Sequence, residues 1–132
     1  MRIMLDTNIL VSILFFPSRV TDKFMRTLTE KYDIVLCDYV IQELRQVTLK
    51  KFPGRLGALN LFLLELDFEK VKVFDERNQI IYPQIRDRKD EPILKTAIKE
   101  QVDILVTGDK DFLVLDIVKP RILTMTEFVE RY

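Results

Sequence analysis

The chain has no histidine and a single cysteine. Zinc sites draw on imidazole and thiolate ligands, so these absences argue against zinc. Any metal or acid–base chemistry must therefore be built largely from carboxylates. The lone Cys37 cannot form an internal disulfide. It sits in the apolar run Ile34-Val35-Leu36-Cys37 and reads as a buried free thiol, as expected in a reducing cytoplasm. Gly 3 and Pro 5 leave little room for linkers or disorder. No stretch approaches the ~20 apolar residues of a membrane span. The longest apolar runs, Ile9–Phe16 and Leu59–Leu66, are too short and read as core elements, so no membrane association is expected. The opening Met-Arg-Ile-Met-Leu-Asp lacks the form of a signal peptide, because Asp6 interrupts its apolar run and no small-residue cleavage site follows. Net charge is also missing, since Lys+Arg 21 balances Asp+Glu 21. A non-enzymatic nucleic-acid binder normally shows a basic excess. An enzyme that meets phosphate through a bound cation does not need one.

What is present is an ordinary globular composition, 48% hydrophobic and 32% charged over 132 residues. That length is one domain with a real core. Short apolar runs at Arg2–Asp6, Ile34–Cys37, Val71–Phe74, Ile104–Val106 and Ile122–Leu123 read as strands. Between them lie helical patterns. Ser18–Lys31 carries Val20, Phe24, Met25 and Leu28. Tyr39 to about Phe52 carries Val40, Ile41, Leu44 and Val47, with Asp38 as its cap and Pro53-Gly54 as its stop. Leu56–Asp67 is a further helix. Asp75–Lys89 is a polar connection, Asp90 opens a helix with Pro92 in its first turn, and Thr126 is the candidate cap of a final helix to Arg131. Strands separated by helices imply crossover connections and a mostly parallel sheet covered on both faces, an α/β fold.

Four acids stand where strands end or helices begin. Asp6 lies in Met4-Leu5-Asp6-Thr7-Asn8, Glu43 one turn inside the second helix pattern, Asp90 before Glu91-Pro92-Ile93-Leu94, and Asp109 in Val106-Thr107-Gly108-Asp109-Lys110-Asp111-Phe112. In open α/β sheets functional groups gather at the carboxyl ends of strands, so these four can share one edge if the strand order allows it. Converging carboxylates repel one another and are costly to desolvate. Such a cluster wants a cation, and an oxygen-only donor set suits Mg²⁺ or Mn²⁺. Taken singly, each acid has a plainer role. Asp6 fits a turn or cap, with Thr7 or Asn8 also able to cap the following helix. Glu43 fits a solvated helix face, and Asp90 fits an N-cap. Asp109 competes with Asp111, and Gly108 before it would permit a sharp inward turn.

In order and spacing, these segments resemble the PIN domain family, the ribonuclease fold of the toxin halves of bacterial and archaeal VapBC-type toxin–antitoxin pairs. Leu5-Asp6-Thr7-Asn8 matches the opening motif, Glu43 the helical acid, Asp90 with Ile93, Leu94 and Ala97 the third motif, and Thr107 to Phe112 the fourth. The resemblance covers residues 2 to 112. It implies a single PIN-like domain over 1–132, a three-layer α/β/α sandwich around a mostly parallel five-stranded sheet. It also implies Mg²⁺- or Mn²⁺-dependent cleavage of single-stranded RNA, a cognate antitoxin protein and a homodimer. Asp6, Glu43, Asp90 and Asp109 would be the catalytic metal ligands, and Asp111 a second-metal group or merely a cap. Arg86, Arg88, Lys89 and Lys110 could hold RNA phosphates. Tyr39 and Phe112 could stack on bases, although core packing suits Phe112 better. The Leu61–Leu64 run reads as core or as part of a dimer or antitoxin surface. A catalytically silent PIN-like module, an RNA-processing nuclease outside a toxin system and a phosphotransfer receiver domain are the competing readings. A receiver needs paired acids after its first strand, where this chain has one Asp followed by Thr-Asn. A haloacid-dehalogenase-type phosphatase would want Asp-x-Asp there, and Asn8 breaks that pattern.

Overall fold

A computed structural model describes residues 1–73 and 91–132. Its strands are β1 (Arg2–Leu5), β2 (Asp33–Cys37), β3 (Phe68–Val71), β4 (Ile104–Val106) and β5 (Arg121–Leu123). The helices are α1 (Thr7–Phe15), α2 (Arg19–Lys31), α3 (Asp38–Lys51), α4 (Leu56–Glu65), α5 (Glu91–Lys99), α6 (Lys110–Leu113) and α7 (Met125–Arg131). A 3₁₀ turn at Pro53–Arg55 separates α3 from α4. The five strands form one sheet in the order β3-β2-β1-β4-β5, with every pairing parallel.

The strand sequences explain this arrangement. Successive strand side chains point to opposite faces, so a strand buried at every position must be covered on both. Ile3, Met4 and Leu5 of β1, Ile34 to Cys37 of β2, and Ile104 to Val106 of β4 are all buried. These are the central strands of an α/β sandwich. The edge strands are different. Glu69 and Lys70 of β3 and Arg121 of β5 are exposed, and charges on an edge discourage pairing with another sheet. At the amino edge the Arg2 guanidinium reaches past β2 to Glu69, with Nη2–Oε1 at 3.0 Å and Nε–Oε2 at 3.1 Å. The bonds are half exposed, so they set position more than stability.

Helix starts follow local chemistry. Ser18 caps α2 and Thr124 caps α7, each closing a reciprocal bond with the residue three positions on, Thr21 and Glu127. Thr124 therefore takes the role expected of Thr126, which lies inside the helix. Asp6 itself is the N-cap of α1, and Thr7 and Asn8 occupy its first turn. Phe24 and Leu28 of α2 are fully buried, whereas Val20, expected on the same stripe, is exposed. An aromatic cluster joins α2 to α7. Phe128 meets Phe24 edge-on at 5.3 Å and stacks on Tyr132 at 5.1 Å.

Several boundaries depart from the sequence reading. Asp38, expected as the cap of α3, is its first residue after an N-cap at Cys37 that makes no side-chain cap bond, and the Asp38 Oδ1 instead accepts from the Val73 N–H at 2.8 Å. The third strand is Phe68–Val71, not Val71–Phe74, because Ile34 to Cys37 of β2 pair with Phe68 to Val71. The α6 turn after β4 was not anticipated. Asp109 caps it by accepting from the Asp111 N–H at 2.8 Å. The polar connection, Arg86, Asp87, Arg88, Lys89 and Asp90 lie outside the described residues.

Candidate metal centre

The strand order reverses between β1 and β4. From β1 the chain builds outward to β2 and β3 on one side, then returns to build β4 and β5 on the other. Such a switch point leaves a crevice at the carboxyl ends of the two central strands, where ligands bind in this class of sheet. Asp6 follows β1 there, and Thr107 follows β4.

Asp6 is 2% exposed. Its Oδ1 accepts from the Thr7 N–H at 2.7 Å, and its Oδ2 from the Thr107 hydroxyl at 2.8 Å. Its own N–H donates to the Val106 carbonyl at 3.1 Å, locking the turn to β4. The Thr107 hydroxyl also accepts the Asp109 N–H at 3.0 Å. One threonine side chain thus fixes two acids that lie 103 positions apart in sequence. Thr107 was only part of a motif in the sequence. Its role arises from β1–β4 pairing, which no local pattern displays.

Burial pushes the Asp6 carboxyl above its ordinary value. The hydrogen bonds from Thr107 and Thr7 pull the other way, and the nearby Glu43 and Asp109 carboxylates add to the rise. Those last two contributions place Asp6, Glu43 and Asp109 in one electrostatic neighbourhood, drawn from β1, α3 and the turn after β4. Among the described residues no Lys or Arg forms an ion pair with any of the three. Thr7 Oγ1, beside Asp6, is buried and has no hydrogen-bond partner among the described residues. Asp111 is linked to the group through its backbone N–H on Asp109. Asp90, directly ahead of α5, is outside the described residues, and among those residues no three Asp, Glu or Cys side chains form a metal-binding group by themselves.

Phe112 is fully buried, the core role that suited it better than base stacking. One sequence expectation changes here. Gly108 has no positive φ, and a Cβ added there would meet nothing within 4 Å. The Asp109 turn is set by Thr107 accepting its N–H, not by glycine's freedom. A cleft of about 510 Å³ lies at the opposite, amino edge among residues such as Arg2, Tyr32, Asp33 and Phe68, and none of these acids lines it.

A family model for the PIN domain matches residues 2–111. The chain belongs to the PIN domain family. PIN domains are generally nucleases, that is, hydrolases. The fold is shared with the crystal structure of VapBC2 from Rickettsia felis bound to a DNA fragment from their promoter. That chain is 22% identical, with a TM-score of 0.68 and coverage of 93% of this chain and 97% of the other. Comparison with curated proteins gives no match. Among the described residues of this PIN domain no helix is long and apolar enough to cross a membrane.

Proposed function

We propose that this PIN domain is an endoribonuclease that cleaves single-stranded RNA with Mg²⁺ or Mn²⁺ and serves as the toxin of a toxin–antitoxin pair. The observation that carries the reading is the buried Asp6 carboxylate at the β1–β4 switch point, close to two further acids and without a basic ion-pair partner among the described residues. An uncompensated buried charge is expensive, and a divalent cation would relieve it.

The donors suit such an ion. Each Asp6 oxygen accepts one hydrogen bond and keeps a second lone pair. Asp109 uses Oδ1 on Asp111 and retains Oδ2. Glu43 is half-buried on α3. Asp6, Glu43, Asp90 and Asp109 would hold the ion, with Asp111 in support. All are oxygen donors, as Mg²⁺ and Mn²⁺ prefer. When bound, the ion activates water and neutralises charge on the phosphoryl group. Thr107 and the Thr7 N–H hold Asp6 in one orientation, and the Thr7 hydroxyl offers a further polar contact beside it.

The toxin assignment draws on the fold shared with VapBC2 from Rickettsia felis, solved bound to a DNA fragment from its promoter, and on the motifs that resemble VapBC-type toxins. A cognate antitoxin and a homodimer are proposed on the same footing. The exposed Leu61 and Leu64 of α4 are available to either contact.

Purified protein should cut single-stranded RNA when Mn²⁺ is supplied. EDTA should stop the reaction, and Asp6→Asn should lower kcat/KM by at least a hundredfold. Cleavage that survives both treatments would sink the proposed mechanism.

A further inference from the structure

Tyr39, Gln42, Glu43 and Gln46 of α3 line a small cleft of about 150 Å³. Their positions are i, i+3, i+4 and i+7, which place them on one helical face. The cleft is roughly five times the ~30 Å³ share of a single water. It therefore suits the edge of one planar group and not a folded ligand. Among the described residues no Lys or Arg lines it, so these residues offer a base edge more than the cations that neutralise a phosphate.

Its chemistry is that of a base reader. Gln42 and Gln46 are exposed. A carboxamide offers two donors and an acceptor, the complement of a nucleobase edge. Glutamine makes paired bonds of this kind to adenine. Tyr39 supplies an aromatic wall, and unstacked RNA bases rest on such rings. Glu43 belongs both to this cleft and to the neighbourhood of Asp6. The cleft therefore opens beside the candidate reacting centre.

We propose that this cleft takes up the base of a nucleotide flanking the scissile phosphate, with Gln42 and Gln46 reading its edge against Tyr39. The proposal rests on the ribonuclease reading above and adds the part of the chain that sets sequence preference.

The test uses the whole protein with Mn²⁺ and an RNA pool randomised around a single-stranded cleavage region. Cut ends are sequenced for wild type, Gln42→Ala, Gln46→Ala and the double variant. Alanine is well tolerated on an exposed helix face, and circular dichroism confirms folding. Wild type should favour one base at a flanking position by roughly 5- to 100-fold, the span of a good paired contact. The double variant should lose most of that ratio. Because the ratio is read among products in one tube, it does not depend on overall rate. An unchanged base profile in the double variant overturns the proposal, as does a wild type that cuts without base preference. A uniform drop at every sequence with a weaker salt dependence also overturns it, by marking a backbone contact. If wild type shows no Asp6-dependent RNA cleavage at all, the ribonuclease reading fails first and this proposal falls with it.

Discussion

Asp6 shows how one side chain can be poorly placed for stability and well placed for chemistry. Its carboxylate is buried, held by Thr7 and Thr107, and repelled by Glu43 and Asp109. A carboxyl whose folded pKa is raised contributes stability that is fully present below the unfolded pKa and is lost as pH rises through the folded pKa. In EDTA, wild-type stability should therefore fall across that acidic window. Asp6→Asn should flatten the fall and be more stable at pH 7 by about 1 kcal/mol, an ordinary single-site effect. Urea unfolding at several pH values measures this, and parallel pH profiles for the two proteins would refute it. The gain would accompany loss of cleavage, the usual exchange at a strained site. The sequence showed Asp6 as a candidate but could not show its cost. Cost depends on burial and on neighbours that arrive from positions 43 and 109.

Elements obey local rules more faithfully. The spacing of Phe24 and Leu28 marked α2, and the Val40 and Leu44 pair marked α3, because an inward stripe repeats every turn wherever the helix packs. Element ends were less legible. The third strand moved to Phe68–Val71 because its partner β2 selects the register. The close of α5 is a second case. Gln101 adopts φ 53°, with its N–H on the Ile98 carbonyl and the Val102 N–H on the Ala97 carbonyl at 3.2 Å. That is a left-handed helix stop, where glycine avoids a steric cost of about 1–2 kcal/mol. Gln101→Gly should stabilise the protein by about 1 kcal/mol after glycine's extra chain entropy is counted. In a domain of this size the melting temperature should rise by roughly 3–5 °C. A fall in melting temperature would show that the Gln101 side chain contributes something its backbone does not.

At the scale of the whole molecule, the proposed cation site would link ion binding to folding. An ion that binds only the folded chain adds about 2.7 kcal/mol at a hundred times its Kd, or roughly 10 °C here. Wild type should show a Mn²⁺-dependent rise in melting temperature of that order. Asp6→Asn should start higher in EDTA yet gain little from Mn²⁺. This crossing of the two proteins separates a metal centre from a merely destabilised core, which would give the first effect without the second. The shift needs no substrate, so it tests the centre independently of RNA.

The sequence by itself determined the parallel α/β class, the run of helices and strands, and the acids from which a site can be built. These are written locally, as periodicity, caps and the absence of histidine. The tertiary structure decided which acids meet. Asp6 and Asp109 share Thr107 because β1 pairs with β4 across a reversal in strand order, and α3, which follows the neighbouring strand β2, carries Glu43 near enough for its charge to bear on Asp6. The physical reason is that hydrogen-bonded strand pairing and burial act through space, over separations of a hundred residues, where no sequence pattern reaches.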